Sequence, residues 1–221
     1  MNEFFFFLQI ALIGCAVLGA FRLGKEALMV VFCLQALLAN LFILKQMRCF
    51  GLFVSCTDGY IIGCDFSLGL LQKHYGEHVA KRATYLCLFL MLFFLAMSQL
   101  HLFFTPCLFD SYDKVYHELF AMTPRIIIAS LFVSFTAQKL NIFIQKILSR
   151  SFPQCSLKIL LFLPILISQL YDTVSFSLLG LYGIVHSVTN IIVMSFVIKV
   201  IAILGMSSFA NLSKKISPTL T

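Results

Sequence analysis

The chain has 221 residues, of which 61% are hydrophobic and only 11% are charged. This little polar surface cannot cover a soluble globule, so the composition excludes a water-soluble domain and predicts an integral membrane protein in contact with the lipid bilayer. The formal net charge is +7. No basic surface interleaved with aromatic residues accompanies it, so we expect no nucleic-acid partner.

Seven apolar runs, each of roughly the 20 residues that cross a bilayer as a helix, follow one another along the chain. They cover residues 2–21, 27–44, 49–71, 84–105, 124–145, 158–180 and 184–205. The first run lacks the basic start of a cleavable signal, and we interpret it as a retained extra helix. The sequence thus predicts an all-α, polytopic helical membrane protein. Residues 1–221 would form a single integral membrane domain.

The third run is the least regular of the seven. Asp58 and Asp65 interrupt it, and four glycines lie within or beside the same stretch. Irregular backbone at membrane depth is tolerated where protein buries it or where it lines a cavity. The sequence leaves open whether this run is a straight helix, a broken helix or a re-entrant segment.

Basic residues between the runs predict the orientation of the chain in the membrane. Ten of them fall on one side of a seven-span arrangement, against three on the other. Because basic loops stay in the cytoplasm, we expect a multi-pass protein of the inner (cytoplasmic) membrane with a cytoplasmic C-terminus. The predicted cytoplasmic segments are 22–26, 72–83, 146–157 and the tail 206–221, and the predicted outer loop is 106–123.

Two short polar patterns recur inside apolar runs. Gln138 and Asn141 form the first pair, and Gln169 and Asp172 form the second. A spacing of three residues puts both members of a pair on one helical face, where exposure to lipid would be costly. The pairs could act as hydrogen-bonding contacts between helices, or they could form a ligand site. We favour a ligand site, because a carboxylate is costly to bury for adhesion alone.

Five further polar residues inside the runs are candidate site residues. Asn40, Asp58 and Asp65 could contact a ligand, and they could equally cap or join helices. Arg125 and Lys199 could act in gating or coupling, and both could instead extend their charges to the nearest membrane surface. Lys199 could also pair with Asp172.

The eight cysteines and five histidines are dispersed without the spacing of a metal site. The sequence lacks the motifs of hydrolases, metalloproteases and nucleotide-binding enzymes. We therefore expect no enzyme, no catalytic residue, no metal and no cofactor.

The polar pairs also resemble the signature of a known family. Arg125-Ile-Ile-Ile-Ala-Ser130 before Gln138 and Asn141, and Ser168-Gln169-Leu-Tyr-Asp172-Thr173 before Phe176, are similar to the bacterial queuosine precursor transporters, also called the vitamin uptake transporters. Weaker matches are Asn40, Thr57-Asp58, Tyr75-Gly76, Ala80-Lys81-Arg82 and Lys199. The resemblance covers residues 36–204. It implies a six-helix core that imports a 7-deazaguanine, such as queuine, preQ1 or preQ0, for salvage into modified tRNA.

Some features depart from the family pattern. Asn141 stands where an Asp is usual, Lys73 or Gln72 stands where a Glu is common, and the stretch from Asp58 to Gly76 is longer than in many members. Two other hypotheses remain open: the substrate-binding membrane subunit of an ATP-driven vitamin importer, with an ATPase partner, and a membrane enzyme acting on lipid. A homo-oligomer is also compatible with the sequence.

Overall fold

The computed structural model describes residues 1–55, 57–107, 109–151 and 157–213, without the side chains of residues 138, 142, 145, 149, 157–162 and 202–213. Its helices are α1 (Asn2–Leu23), α2 (Lys25–Phe42), α3 (Asp58–Tyr75), α4 (Glu77–His101), α5 (Asp113–Ala121), α6 (Thr123–Ser151), α7 (Leu157–Phe176) and α8 (Val188–Ser213). A π-helical turn, Ser177–Leu181, continues α7, and two strands, β1 (Gln46–Cys49) and β2 (Leu52–Ser55), precede α3.

Five helical stretches of the described chain are long and apolar enough to cross a membrane. They are Asn2–Leu23, Lys25–Phe42, Glu77–His101, Asp113–Leu148 and Leu163–Leu181, and a shorter apolar helix covers Val188–Ile201. The prediction of an all-α polytopic membrane protein is therefore confirmed. Helix α3 is the central element of the first half of the bundle, since it packs against α1, α2, α4 and α8.

Single glycines separate the helices of two antiparallel pairs. Gly24 lies between α1 and α2, and Gly76 lies between α3 and α4. The rings of Phe21 and His74 are 4.8 Å apart, so both turns lie at the same end of the bundle. Most of the predicted loops 22–26 and 72–83 is therefore helical.

The third apolar run is not one helix. Its first part forms the second half of an antiparallel β-hairpin, in which Gln46 pairs with Ser55 and Cys49 with Leu52. The two turn residues between the strands, Phe50 and Gly51, have φ angles of 51° and 80°. Positive φ at both positions is the geometry of the two-residue turns that suit the twist of a hairpin. The structure thus excludes a straight helix, since the run consists of a hairpin strand followed by the helix α3.

The hairpin fills a space that a longer α3 would otherwise take. The start of α3 faces the third turn of α1, because Gly59 approaches Gln9 and Ile10. At 1.5 Å per residue this start lies roughly 10 Å inside the end of the bundle. The strand β2 ends in buried residues, with Val54 2% and Ser55 1% exposed. Non-helical backbone thus lies below the bundle surface, covered by protein as membrane depth requires.

Three hydrogen bonds fix the hairpin to its surroundings. Asn2 Nδ2 donates to the Arg48 carbonyl at 2.8 Å, the Phe50 amide donates to Glu3 Oε1 at 3.1 Å, and the His186 amide donates to Gln46 Oε1 at 2.9 Å. The start of α1, the hairpin and the turn before α8 therefore share one end of the bundle. We call it the hairpin end.

Two other segments differ from their predicted bounds. The predicted outer loop 106–123 contains the short helix α5, and α8 extends through Ser213 into the predicted tail 206–221. Residues 152–156 of the predicted loop 146–157 and residues 214–221 of the tail lie outside the described residues.

Candidate functional site

Helices α6 and α7 run antiparallel and carry the two polar pairs. The Tyr171 hydroxyl donates to Thr136 Oγ1 at 3.2 Å, which fixes the register between them. Position 138 lies two residues after Thr136, and position 169 lies two residues before Tyr171. Because the helices are antiparallel and both rise by 1.5 Å per residue, these two positions lie at the same depth. Asn141 and Gln169 are half-buried, and the Gln138 side chain is outside the described residues.

Asp172 and Lys199 form an ion pair between α7 and α8. Lys199 Nζ donates to Asp172 Oδ2 at 2.6 Å. The Asp172 side chain is 23% exposed and the Lys199 side chain is 6% exposed. Charge-assisted hydrogen bonds of this length are among the strongest in proteins. The Lys199 side chain therefore does not extend to the membrane surface. It pairs with Asp172, which is one of the alternatives that the sequence left open.

Two more carboxyl groups of α3 lie within electrostatic reach of Lys199. Asp58, only 2% exposed, interacts with Lys199 and with Ser195, which lies one helical turn before Lys199 on α8. Asp65 is half-buried and interacts electrostatically with both Lys199 and Asp172. Helices α3, α7 and α8 thus bring together three of the predicted site residues around one ammonium group.

These carboxyl groups do not converge as metal ligands. Within the part of the chain that the structure describes, no three His, Cys, Asp or Glu side chains are close enough to hold a metal ion. The carboxyl groups are distributed around Lys199 at separate positions.

Helix α7 changes geometry just after Asp172. The π-helical turn Ser177–Leu181 follows Phe176, and such turns shift hydrogen bonding by one residue and occur often at functional sites. Arg125, at the start of α6, binds the far end of this turn. Its Nε donates to the Leu179 carbonyl and its Nη2 to the Tyr182 carbonyl, both at 2.8 Å. Arg125 therefore fastens the turn to α6 and does not contact the ion pair.

Asn40 is engaged within its own helix. Its Nδ2 donates to the Ala36 carbonyl at 2.8 Å, so one donor of this predicted site residue is already used. The structure does not bring Asn40 to the Asp172–Lys199 pair through any described contact.

Three polar side chains that the sequence analysis missed are buried here: Gln35 at 5% exposure, Ser67 at 0% and Ser195 at 8%. Gln35 Oε1 and Ser67 Oγ have no hydrogen-bond partner among the described residues. A Cβ at Gly63 would come within 2.6 Å of Gln35 Oε1, so the glycine makes room for this amide. Gln35 lies in the middle of an apolar run, the same signal that marked Asn40.

An open groove of about 390 Å³ lies beside the two motif helices. Thr136, Lys139, Leu140, Phe143 and Tyr171 line it. Its lining includes none of Asn141, Gln169 and Asp172, and Lys139 lies over the Phe135 ring at 5.4 Å. Asp172 is thus held by Lys199 and does not open into this groove.

Intramembrane charges held between helices, beside broken and π-helical segments, are typical of polytopic transport proteins. The chain belongs to the vitamin uptake transporter family, because the family described as "Putative vitamin uptake transporter" matches residues 66–212. It is also 26% identical to the "Probable queuosine precursor transporter" of Bacillus subtilis (strain 168), over 98% of this chain and 96% of that relative. No solved structure matches the chain.

Proposed function

We propose that this protein imports a queuosine precursor, a 7-deazaguanine such as queuine, preQ1 or preQ0, across the cytoplasmic membrane for tRNA modification. The observation that carries the proposal is the Asp172–Lys199 pair, buried between helices inside the segment that resembles the family signature. The near full-length likeness to a relative named as a probable queuosine precursor transporter supports this cargo.

The side chains of the two polar pairs complement a deazaguanine. The base presents N–H donors beside a carbonyl acceptor, and a carboxylate flanked by primary amides matches that pattern. In our proposal Asp172 accepts two N–H groups, Gln138 and Gln169 bind the carbonyl and ring nitrogens, and Asn141 donates or accepts. A site of this kind rejects analogues that leave a buried polar group unpaired.

In our proposal the Asp172–Lys199 pair is the resting state of the transport cycle, before cargo binds. While the Lys199 ammonium holds Asp172 Oδ2 at 2.6 Å, it competes with the N–H groups of a base for this oxygen. The two N–H groups of the base then displace Lys199 from Asp172, and Asp65 is the carboxyl group that interacts with both. We infer that Lys199 acts as the coupling residue. Arg125 would keep the π-helical turn in place while this exchange occurs.

We propose that the remaining predicted site residues, Asp58 and Asn40, belong to a wider set of polar side chains around the bound base. Asp58 interacts with Ser195, which lies one helical turn before Lys199 on α8. We therefore include Asp58 in this set. Asn40 keeps its acceptor oxygen and one N–H donor, because only one donor of its amide is bound to the Ala36 carbonyl.

A panel of deazapurines offered to a host deficient in queuosine salvage tests the function. Cells that express the protein should regain queuosine in tRNA from at least one precursor, measured by mass spectrometry of tRNA nucleosides. Asp172→Asn should abolish this gain at equal protein levels, because it replaces an acceptor with a donor. Asp113→Asn, on α5 and distant in sequence from both motifs, is the matched control. No gain with any precursor would refute the proposal.

A further inference from the structure

The polar centre of the bundle has an excess of negative groups. Asp58, Asp65 and Asp172 lie around the single ammonium of Lys199. The other two basic side chains within the described apolar runs, Arg125 and Lys139, are exposed and engaged elsewhere, with backbone carbonyls and with the Phe135 ring. Uncompensated charge inside a membrane protein is costly, so this centre favours the arrival of a positive group.

Asp58 offers a specific place for such a group. It is 2% exposed, and its Oδ2 has no hydrogen-bond partner among the described residues. Ser195 of α8 interacts with the Asp58 carboxyl group, and its hydroxyl oxygen is able to accept a hydrogen bond. Helix α3 packs directly on α8, and Asp58 interacts electrostatically with Lys199 across this contact.

The Asp172–Lys199 pair demonstrates which chemistry this centre accepts. A primary ammonium donates to a carboxylate here at 2.6 Å in a largely buried position. A metal ion would need several converging carboxylates, and the described acidic groups do not converge. A protonated amine, which needs acceptors distributed around it, fits the observed spacing.

We propose that the cargo carries a protonated amine on the arm of its five-membered ring, and that Asp58 and Ser195 receive this ammonium while the base binds at Asp172. This inference rests on the proposed function and deepens it. The arm leaves the base on the side opposite its N–H edge, so one ligand can reach two separate acidic groups. Lys199, displaced from Asp172, then pairs with Asp65. The cargo class is thus the aminomethyl deazaguanines, preQ1 and queuine, and not the neutral nitrile preQ0.

Uptake of preQ1 and preQ0 at equal concentrations into cells that express the protein tests this selectivity. We expect the wild-type protein to favour the amine by about tenfold or more, the effect of one charge-assisted hydrogen bond. Asp58→Asn should remove most of that preference by lowering amine uptake far more than nitrile uptake. Asp58→Glu should retain part of it, and Asp113→Asn should retain all of it.

Two results would overturn the inference without touching the proposed function. Equal uptake of the amine and the nitrile by the wild-type protein would show that the arm's charge is not recognised. An equal loss of both substrates in Asp58→Asn, at equal amounts of protein in the membrane, would indicate a bound proton or a structural role for Asp58. Absence of uptake for every deazapurine would instead refute the proposed function itself.

Discussion

At the scale of single residues, Lys199 holds the site together. Among the described residues it is the one cation that Asp58, Asp65 and Asp172 share. Removing one partner of a buried ion pair leaves a charge without compensation, which costs about 3 to 5 kcal/mol in proteins. The two partners are not equivalent here. Without Asp172, Lys199 still has Asp58 and Asp65 within reach, whereas without Lys199 three carboxyl groups have no cation.

We therefore expect Lys199→Met to lower the thermal unfolding midpoint more than Asp172→Asn does. The double variant should unfold at a higher temperature than Lys199→Met alone, because one unpaired carboxylate is gone. Thermal unfolding of the purified protein in detergent measures all three. The exposed pair Glu77–Lys81 on α4 provides the control, since Lys81→Met should leave the midpoint unchanged. A smaller loss for Lys199→Met than for Asp172→Asn would contradict this account.

At the scale of elements, α3 depends on close packing with α1 and α2. Gly63 faces Ile13 and Gln35 with no space for a methyl group, whereas Gly69, on the same helix, has no atom within 4 Å of an added Cβ. The two glycines therefore differ in what a side chain would meet. Only Gly63 is required by packing.

Gly63→Ala should destabilise the protein by about 1 to 3 kcal/mol, the usual cost of overpacking, and should displace Gln35. Gly69→Ala should be neutral or stabilising by up to about 1 kcal/mol, since alanine favours helix. Thermal unfolding distinguishes the two variants. Equal midpoints for both would mean that α1 does not pack on α3 as the structure has it.

At the scale of the whole molecule, the hairpin end and the turns at Gly24 and Gly76 lie at opposite ends of the bundle, because α1 runs from one end to the other. The ten basic residues of the predicted cytoplasmic side include Arg22, Lys25 and Lys73 beside the two glycine turns. From the positive-inside rule we predict that the glycine turns lie in the cytoplasm and the hairpin outside.

Labelling with a membrane-impermeant thiol reagent checks this orientation in a variant without the eight native cysteines. A cysteine at Ser111 or Asn2 should react in intact cells, and one at Ser149 or Ser213 only after the membrane is opened. Reaction at Ser111 without reaction at Asn2 would mean that α1 does not cross. Reaction at Ser213 in intact cells would reverse the orientation.

Much of this architecture was predictable from the sequence, because long apolar runs specify transmembrane helices by length alone. The hairpin was not, since the strand Leu52–Ser55 is as apolar as a helix would be and its pairing depends on the turn at Phe50 and Gly51. The partner of Lys199 was left open because depth and facing direction depend on how α7 and α8 pack. Gln35 and Ser195 were missed because isolated polar residues form no motif.

The shortened start of α3 has a consequence for biogenesis. The helix is not among the stretches apolar enough to cross unaided. An aspartate such as Asp65 near the centre of an isolated span opposes insertion by roughly 3 kcal/mol. During synthesis α1 and α2 emerge first, as a pair closed by Gly24, and they can shield one side of α3 as it leaves the ribosome. The side of α3 that carries Asp58 and Asp65 has no partner until Ser195 and Lys199 are synthesised, more than 100 residues later. The polar centre is therefore assembled last, by the arrival of α8.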